Sequence, residues 1–164
     1  MRIFSRFMLI FMLGLLAMAV WYANEIRLAR EQTPTLVAAA FEQYGAELTP
    51  AALSPERRAM LLAVEDPAFL AHHGVDLTTP GAGMTTITQG LVKLLYFPEG
   101  FHPGIAKIRQ TLIAQYALDA LTSKNTQLLL FLNMSYLGNA DGKGGIWFRQ
   151  CCPHLLRQGI RCSQ

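Results

Sequence analysis

Glu65 and Asp66 are followed within eight positions by His72 and His73, and twelve positions later by a hydroxyl-rich turn, Thr85-Thr86-Ile87-Thr88-Gln89. A carboxylate can take a proton from a weak nucleophile in the transition state. Threonine hydroxyls and a glutamine amide can hold an anion through hydrogen bonds. Taken singly, each group has a plain reading: a solvated helix end, a loop contact, a helix cap. In a chain with only eleven acids, their order and spacing together point to half of an active site.

The elements that must position these groups are helical. Ser54 is a good N-cap, Pro55 suits the first turn and Glu56 complements the positive end of the dipole. Met60, Leu61, Val64 and Ala68 recur at helical spacing, so this helix is expected to pack on that side and to end near Pro67. Glu65 and Asp66 then stand at its C-terminal end. The dipole there disfavours an ionised carboxylate, which suits a group that must exchange protons. Thr78 to Thr88 reads as a loop entering a helix with Ile87, Leu91, Leu94 and Leu95 on its apolar face. After a link at residues 97–104, a longer helix is expected to bury Ile105, Ile108, Leu112, Tyr116 and Leu121. Ser123 caps a last helix through Leu128, Phe131 and Leu132. No stretch alternates with period two, so the domain reads as all-α.

Phe7 to Ala23 is a run of seventeen residues without a charge. As a helix it spans about 26 Å, enough to cross a thin bilayer core. Arg2 and Arg6 precede it, and Trp21 and Tyr22 fall where an interfacial belt belongs. The positive-inside bias leaves the amino end cytoplasmic and the domain on the periplasmic side of the inner membrane. A cleaved signal peptide is the alternative, because Ala17-Met18-Ala19 resembles a cleavage site. The divisions read as 1–6 cytoplasmic, 7–23 anchor, 24–52 a helical stalk broken at Pro34, 53–144 the domain and 145–164 a tail. The net charge of +3 is scattered, and no basic cluster interleaves with aromatics, which argues against nucleic acid. The three cysteines sit in the last fourteen residues and form neither a disulfide framework nor a zinc site.

Glu65-Asp66-x-x-Phe69-x-x-His72-x-Gly74, followed by Gly83-x-Thr85-Thr86-Ile87-Thr88-Gln89, resembles the first two motifs of the family 51 glycosyltransferases. These are the peptidoglycan transglycosylases, found as monofunctional enzymes and within bifunctional penicillin-binding proteins. Ser123-Lys124 followed by Leu128 and Leu132-Asn133 resembles the fourth motif, with Phe131 in place of its usual Tyr. The resemblance covers about Leu53 to Gly142. It implies an incomplete lysozyme-like transglycosylase domain that polymerises a lipid-linked disaccharide-peptide. It also implies Glu65 as the base, with Asp66, Phe69, His72, Thr85, Thr86, Gln89, Lys93, Lys107, Arg109, Lys124 and Asn133 around the substrate. The turn before the helix that carries Gln89 and Lys93 suits phosphate. A divalent cation, Mg or Mn, bridging the substrate pyrophosphate is compatible with this reading, but no protein ligand set for it is legible. The expected partners are the lipid-linked precursor, the inner membrane and other cell-wall synthases.

Besides Phe131, the chain has Thr85 where the second motif usually has Ser and Gly90 where it has a second Gln, and two further departures are larger. The third motif is Arg-Lys-x-x-Glu, whereas Lys107-Ile108-Arg109-Gln110-Thr111 keeps the cations and puts Thr111 where the second carboxylate belongs. One acid of two leaves a second reading open, a non-catalytic module that binds the precursor or a synthase. After Gly145 the expected Ala-Ala-x-x-Tyr-Phe-Gly motif is missing. Yet codons exist for Phe148 to Gly159 that, read one nucleotide later, give Ser-Ala-Ser-Ala-Ala-Arg-Thr-Tyr-Phe-Gly-Lys. The tail therefore reads as out of frame, which the gene's own nucleotides across Gly144 decide.

Overall fold

Helix α1, Arg2–Tyr44, passes through Pro34 without a break. The computed structural model that shows this describes residues 2–46, 48–78, 85–135, 139–140 and 143–144; the expected out-of-frame tail lies outside them. An internal proline removes one backbone donor and costs a helix about 3 kcal/mol. Tertiary packing offsets that cost. Ala29, Thr33 and Ala40 are buried along one face, with Val37 and Phe41 packed beside them. The Thr33 hydroxyl bonds the Ala29 carbonyl at 2.7 Å and meets the Tyr96 hydroxyl at 2.6 Å. The second half of α1 is thus a core element of the domain, not a free stalk. Its first half, from Phe4 through Val20, is exposed, and α1 is long and apolar enough to cross a membrane.

A short 3-10 turn, Pro50–Ala52, leads to helix α2, Pro55–Glu65. The Ser54 hydroxyl accepts from the Arg57 amide at 3.3 Å, the cap its sequence suggests. Glu56 is held below the usual carboxylate range, first by a backbone hydrogen bond and then by Ser54. The expected packing face is only partly used. Leu61 and Leu62 are half-buried, while Met60 is 68% and Val64 80% exposed. Periodicity finds an apolar stripe but not whether another element covers it. Here Met60 and Leu61 line an open apolar cavity of about 290 Å³ with Leu48, Leu53 and Leu132.

Helix α3, Ile87–Tyr96, is the most buried element, with Ile87, Thr88, Gln89, Leu91, Val92 and Leu95 inside and Leu94 exposed. Helix α4, Ile105–Ile113, continues through a π turn, Ala114–Leu118, into helix α5, Asp119–Leu121. The face expected here is wrong. Ile105, Ile108, Tyr116 and Leu121 are exposed, and Gln110, Ile113, Ala114, Ala117 and Leu118 are buried. A π turn widens the helix locally and rotates everything after it, so one repeat cannot describe both halves. The buried face is also small and partly polar, which hydropathy does not detect. Helix α6, Lys124–Met134, starts at the expected cap, where the Ser123 hydroxyl accepts from the Thr126 amide at 3.1 Å. It packs against α3 and α1. A two-residue antiparallel pair, β1 Asn139–Ala140 and β2 Lys143–Gly144, is the sole sheet among the described residues. The class is all-α, as the patterning predicts.

Candidate active site

The Glu65-Asp66 doublet is split by the end of α2. Glu65 is the last helical residue and is exposed. Among the described residues its carboxylate makes no hydrogen bond or ion pair. Asp66 turns inward and is buried. Its two oxygens lie 3.0 and 2.9 Å from His72 Nε2, and Oδ2 also accepts from the Ile87 amide at 3.0 Å. Ile87 is the first residue of α3, so Asp66 supplies a negative charge at the positive end of that helix. Thr86 and Gln89 complete the cap. The Gln89 amide donates to the Thr86 hydroxyl at 3.1 Å, and the Thr86 amide donates to Gln89 Oε1 at 3.3 Å. Three donors of the α3 start are therefore occupied by the protein's own groups. The expectation that this helix start cradles phosphate gives way here, because Asp66 already fills that role.

A second tie joins the same loop to α3 and the π turn. The Thr86 hydroxyl donates to the Gly74 carbonyl at 2.7 Å. Gly74 has φ +80°, and a Cβ placed on it would lie 2.5 Å from the Ala114 carbonyl oxygen. Only glycine combines that conformation with that approach. Across the core, Gln89 Nε2 donates to the Thr111 hydroxyl at 3.1 Å, which donates in turn to the Lys107 carbonyl at 2.8 Å. Gln110 Nε2 donates to the Gln89 carbonyl at 2.6 Å. Helix α4 is thus pinned to α3 by side-chain amides.

The cations sit on the outer sides of these helices. Lys93 Nζ lies 5.1 Å from the Phe101 ring centroid. Burial first, and the neighbouring Lys93 charge second, hold the Lys107 ammonium below the usual lysine range. Arg109 Nε pairs with Glu25 at 2.6 Å, and its guanidinium lies 5.4 Å from the Phe97 ring centroid. Lys93 and Lys107, close enough for one charge to act on the other, form a pair that can meet a diphosphate. Among the described residues no three His, Cys, Asp or Glu side chains gather to hold a metal.

The transglycosylase family has a sequence model that matches residues 32–147. That span covers more than two thirds of the chain. The chain belongs to the transglycosylase family. No curated protein and no solved structure matches it. The family's domain is lysozyme-like, and it carries peptidoglycan glycosyltransferase-type function in general. The match begins inside α1, well before residue 53, in accord with the packing of α1 into the domain.

Within this transglycosylase domain the residues named from the resemblance fall into two groups. Asp66, Phe69, Thr86, Gln89 and Asn133 are buried, and the His72 side chain is 7% exposed. Each is engaged inside the fold. Phe69 fills the core beneath Lys124, and the Asn133 amide bridges to Leu48 by accepting from its N–H and donating to its carbonyl. Glu65, Thr85, Lys93, Lys107, Arg109 and Lys124 reach at least partly to solvent. Lys124 also pairs with Asp119 at 2.6 Å. The sequence reading missed Glu25, Arg30, Gln110 and Gln127. Arg30 Nη1 donates to the Tyr116 carbonyl at 2.6 Å, and Gln127 links the Thr88 hydroxyl to Asp119. A buried glutamine on a helix face has no hydropathy signal, and Glu25 meets Arg109 only once the chain has folded.

Proposed function

We propose that this transglycosylase is a membrane-anchored peptidoglycan glycosyltransferase, a hexosyltransferase that joins lipid-linked disaccharide-peptide units into glycan strands. An acceptor sugar hydroxyl attacks the anomeric carbon of the donor. Glu65 takes the proton as the new glycosidic bond forms and the bond to the lipid pyrophosphate breaks. Lys93, Lys107 and Arg109 meet the charge that develops on the leaving pyrophosphate, with Thr85 as a further donor. A divalent cation, Mg or Mn, bound to the pyrophosphate would offset part of its charge, and no protein ligand is assigned to it. Asp66, His72, Thr86 and Gln89 hold the frame. The domain faces the periplasm from the inner membrane, close to its lipid substrate.

The observation that carries this reading is the splitting of the acidic doublet. Glu65, exposed and without a partner among the described residues, stands one residue from an Asp66 that is locked to α3. The test is incubation with lipid-linked disaccharide-peptide, comparing polymer from the wild type and from Glu65→Gln.

Thr111 favours one other reading, a non-catalytic module that binds the lipid-linked precursor or a synthase partner. Its hydroxyl stands where the family places a second carboxylate, and Gln89 and the Lys107 carbonyl already satisfy it. This reading predicts precursor binding without polymer.

A further inference from the structure

Glu25 is the first charged residue after the apolar run of α1, and it lies before the residues that the family model matches. Only 19% of its side chain is exposed, and its carboxylate meets Arg109 Nε of α4 at 2.6 Å. Farther along α1, Arg30 Nη1 donates to the Tyr116 carbonyl at 2.6 Å. Glu25 is therefore kept beside α4 by a second tie that does not depend on Glu25 itself.

The Arg109 guanidinium is held on two sides. Glu25 takes the Nε side, and the Phe97 ring centroid lies 5.4 Å from the guanidinium carbon. Phe97 packs edge-on against Phe101, with 5.3 Å between ring centroids, and Lys93 Nζ lies 5.1 Å from the Phe101 centroid. The aromatic pair thus carries Arg109 at one end and Lys93 at the other. Nε is buried without a well-directed hydrogen bond, so the hold on it is an ion pair. Among the described residues the two Nη nitrogens have no partner. A guanidinium gripped at Nε and on one face keeps its Nη edge for two parallel bonds to a phosphate. Such a fork binds best when its plane is fixed before the anion arrives, because ordering a long side chain on binding costs affinity.

We infer that Glu25 is a positioning residue for the pyrophosphate, fixing Arg109 from the anchor helix so that its Nη edge meets the leaving phosphate. This rests on the reading that Arg109 meets the pyrophosphate of the lipid-linked precursor. The anchor helix then contributes to the site as well as to the membrane. The sign of the effect separates positioning from simple charge. Glu25 is an anion beside an anion site, so Coulomb's law alone makes its removal tighten binding. Loss of positioning weakens it.

The test measures binding of lipid-linked disaccharide-peptide and of inorganic pyrophosphate to the full chain by titration calorimetry. Thermal midpoint and polymer formation are recorded alongside. Glu25→Gln is expected to weaken both affinities by about tenfold, the scale of one charge-assisted hydrogen bond. Glu25→Asp keeps the charge and should recover part of the loss. In an Arg109→Gln background, Glu25→Gln should weaken binding no further. Glu31→Gln, whose carboxylate pairs with Arg27 on an exposed side of the same helix, should bind as the wild type does. Unchanged or tighter binding by Glu25→Gln overturns the inference. A full further loss in the Arg109→Gln background, or an equal loss in Glu31→Gln, overturns it too, since Glu25 would then act through the fold and not through Arg109. A wild type that binds but makes no polymer overturns the catalytic reading, and the same affinities still decide the role of Glu25. A wild type that binds neither ligand overturns both.

Discussion

Gln89 Nε2 donates to the Thr111 hydroxyl at 3.1 Å, joining α3 to α4 at the position where the resemblance expects a second acid. The contact gives Thr111 a structural use. It also leaves a donor facing that position. A carboxylate introduced there would meet the Gln89 amide. Under the proposed function Thr111→Glu raises polymerisation by about 100-fold, the scale of one positioned acid or base. A binding-competent Thr111→Glu protein that makes no more polymer than the wild type supports the non-catalytic reading.

Asp66 and Glu65 are adjacent in sequence and opposite in role. Asp66→Ala leaves the Ile87 amide and His72 without their buried acceptor, at a cost of about 3 kcal/mol. The drop is expected in the thermal midpoint of the protein in detergent, and Asp66→Asn, which keeps one acceptor oxygen, should recover part of it. Glu65→Gln, on an exposed group without a partner among the described residues, should melt with the wild type. Equal midpoints for Asp66→Ala and the wild type would remove the clamp.

Much of this was legible in the residues alone. The order of the motifs, the caps at Ser54 and Ser123 and the helical class all follow from local chemistry, because capping and turn residues act within a few positions. The inward face of α4 was not legible. Its π turn and its buried Gln110 and Ala114 carry no hydropathy signal. The continuity of α1 through Pro34 depends on Thr33, Ala29 and Ala40 finding the domain, which local propensity cannot show. The inward turn of Asp66 depends on an Ile87 amide twenty-one positions away. Those long-range partners decided which of the named residues became scaffold and which stayed open to solvent.

Gly74→Ala is expected to destabilise the domain by about 2 kcal/mol or more. The new methyl meets the Ala114 carbonyl and imposes a left-handed conformation on a residue with a side chain. Denaturant unfolding measures it. A midpoint shift no larger than that of an exposed control such as Gly100→Ala, which shares a positive φ but meets nothing within 4 Å, would contradict the close approach.

Lys107 gives the pH dependence a sign. Its folded value is lowered by burial and then by Lys93. Between that value and the ordinary lysine range the unfolded chain holds more protons, so this group's contribution to stability rises with pH across the window. Binding runs the other way, since the pyrophosphate needs the charged form. Affinity for the lipid-linked precursor should fall in the alkaline range as Lys107 loses its proton. Lys93→Gln removes the like charge and should shift that fall to higher pH. Titration calorimetry at several pH values checks it, and the same pH profile for wild type and Lys93→Gln would contradict the coupling.

The most direct measurement of the central claim is polymer formation from lipid-linked disaccharide-peptide by the wild type and Glu65→Gln in the same membranes, with precursor binding measured alongside. The account predicts glycan strands from the wild type, loss of polymer by about 100-fold or more in Glu65→Gln, and unchanged precursor affinity. Equal polymer from the two proteins would contradict the role of Glu65 as the base.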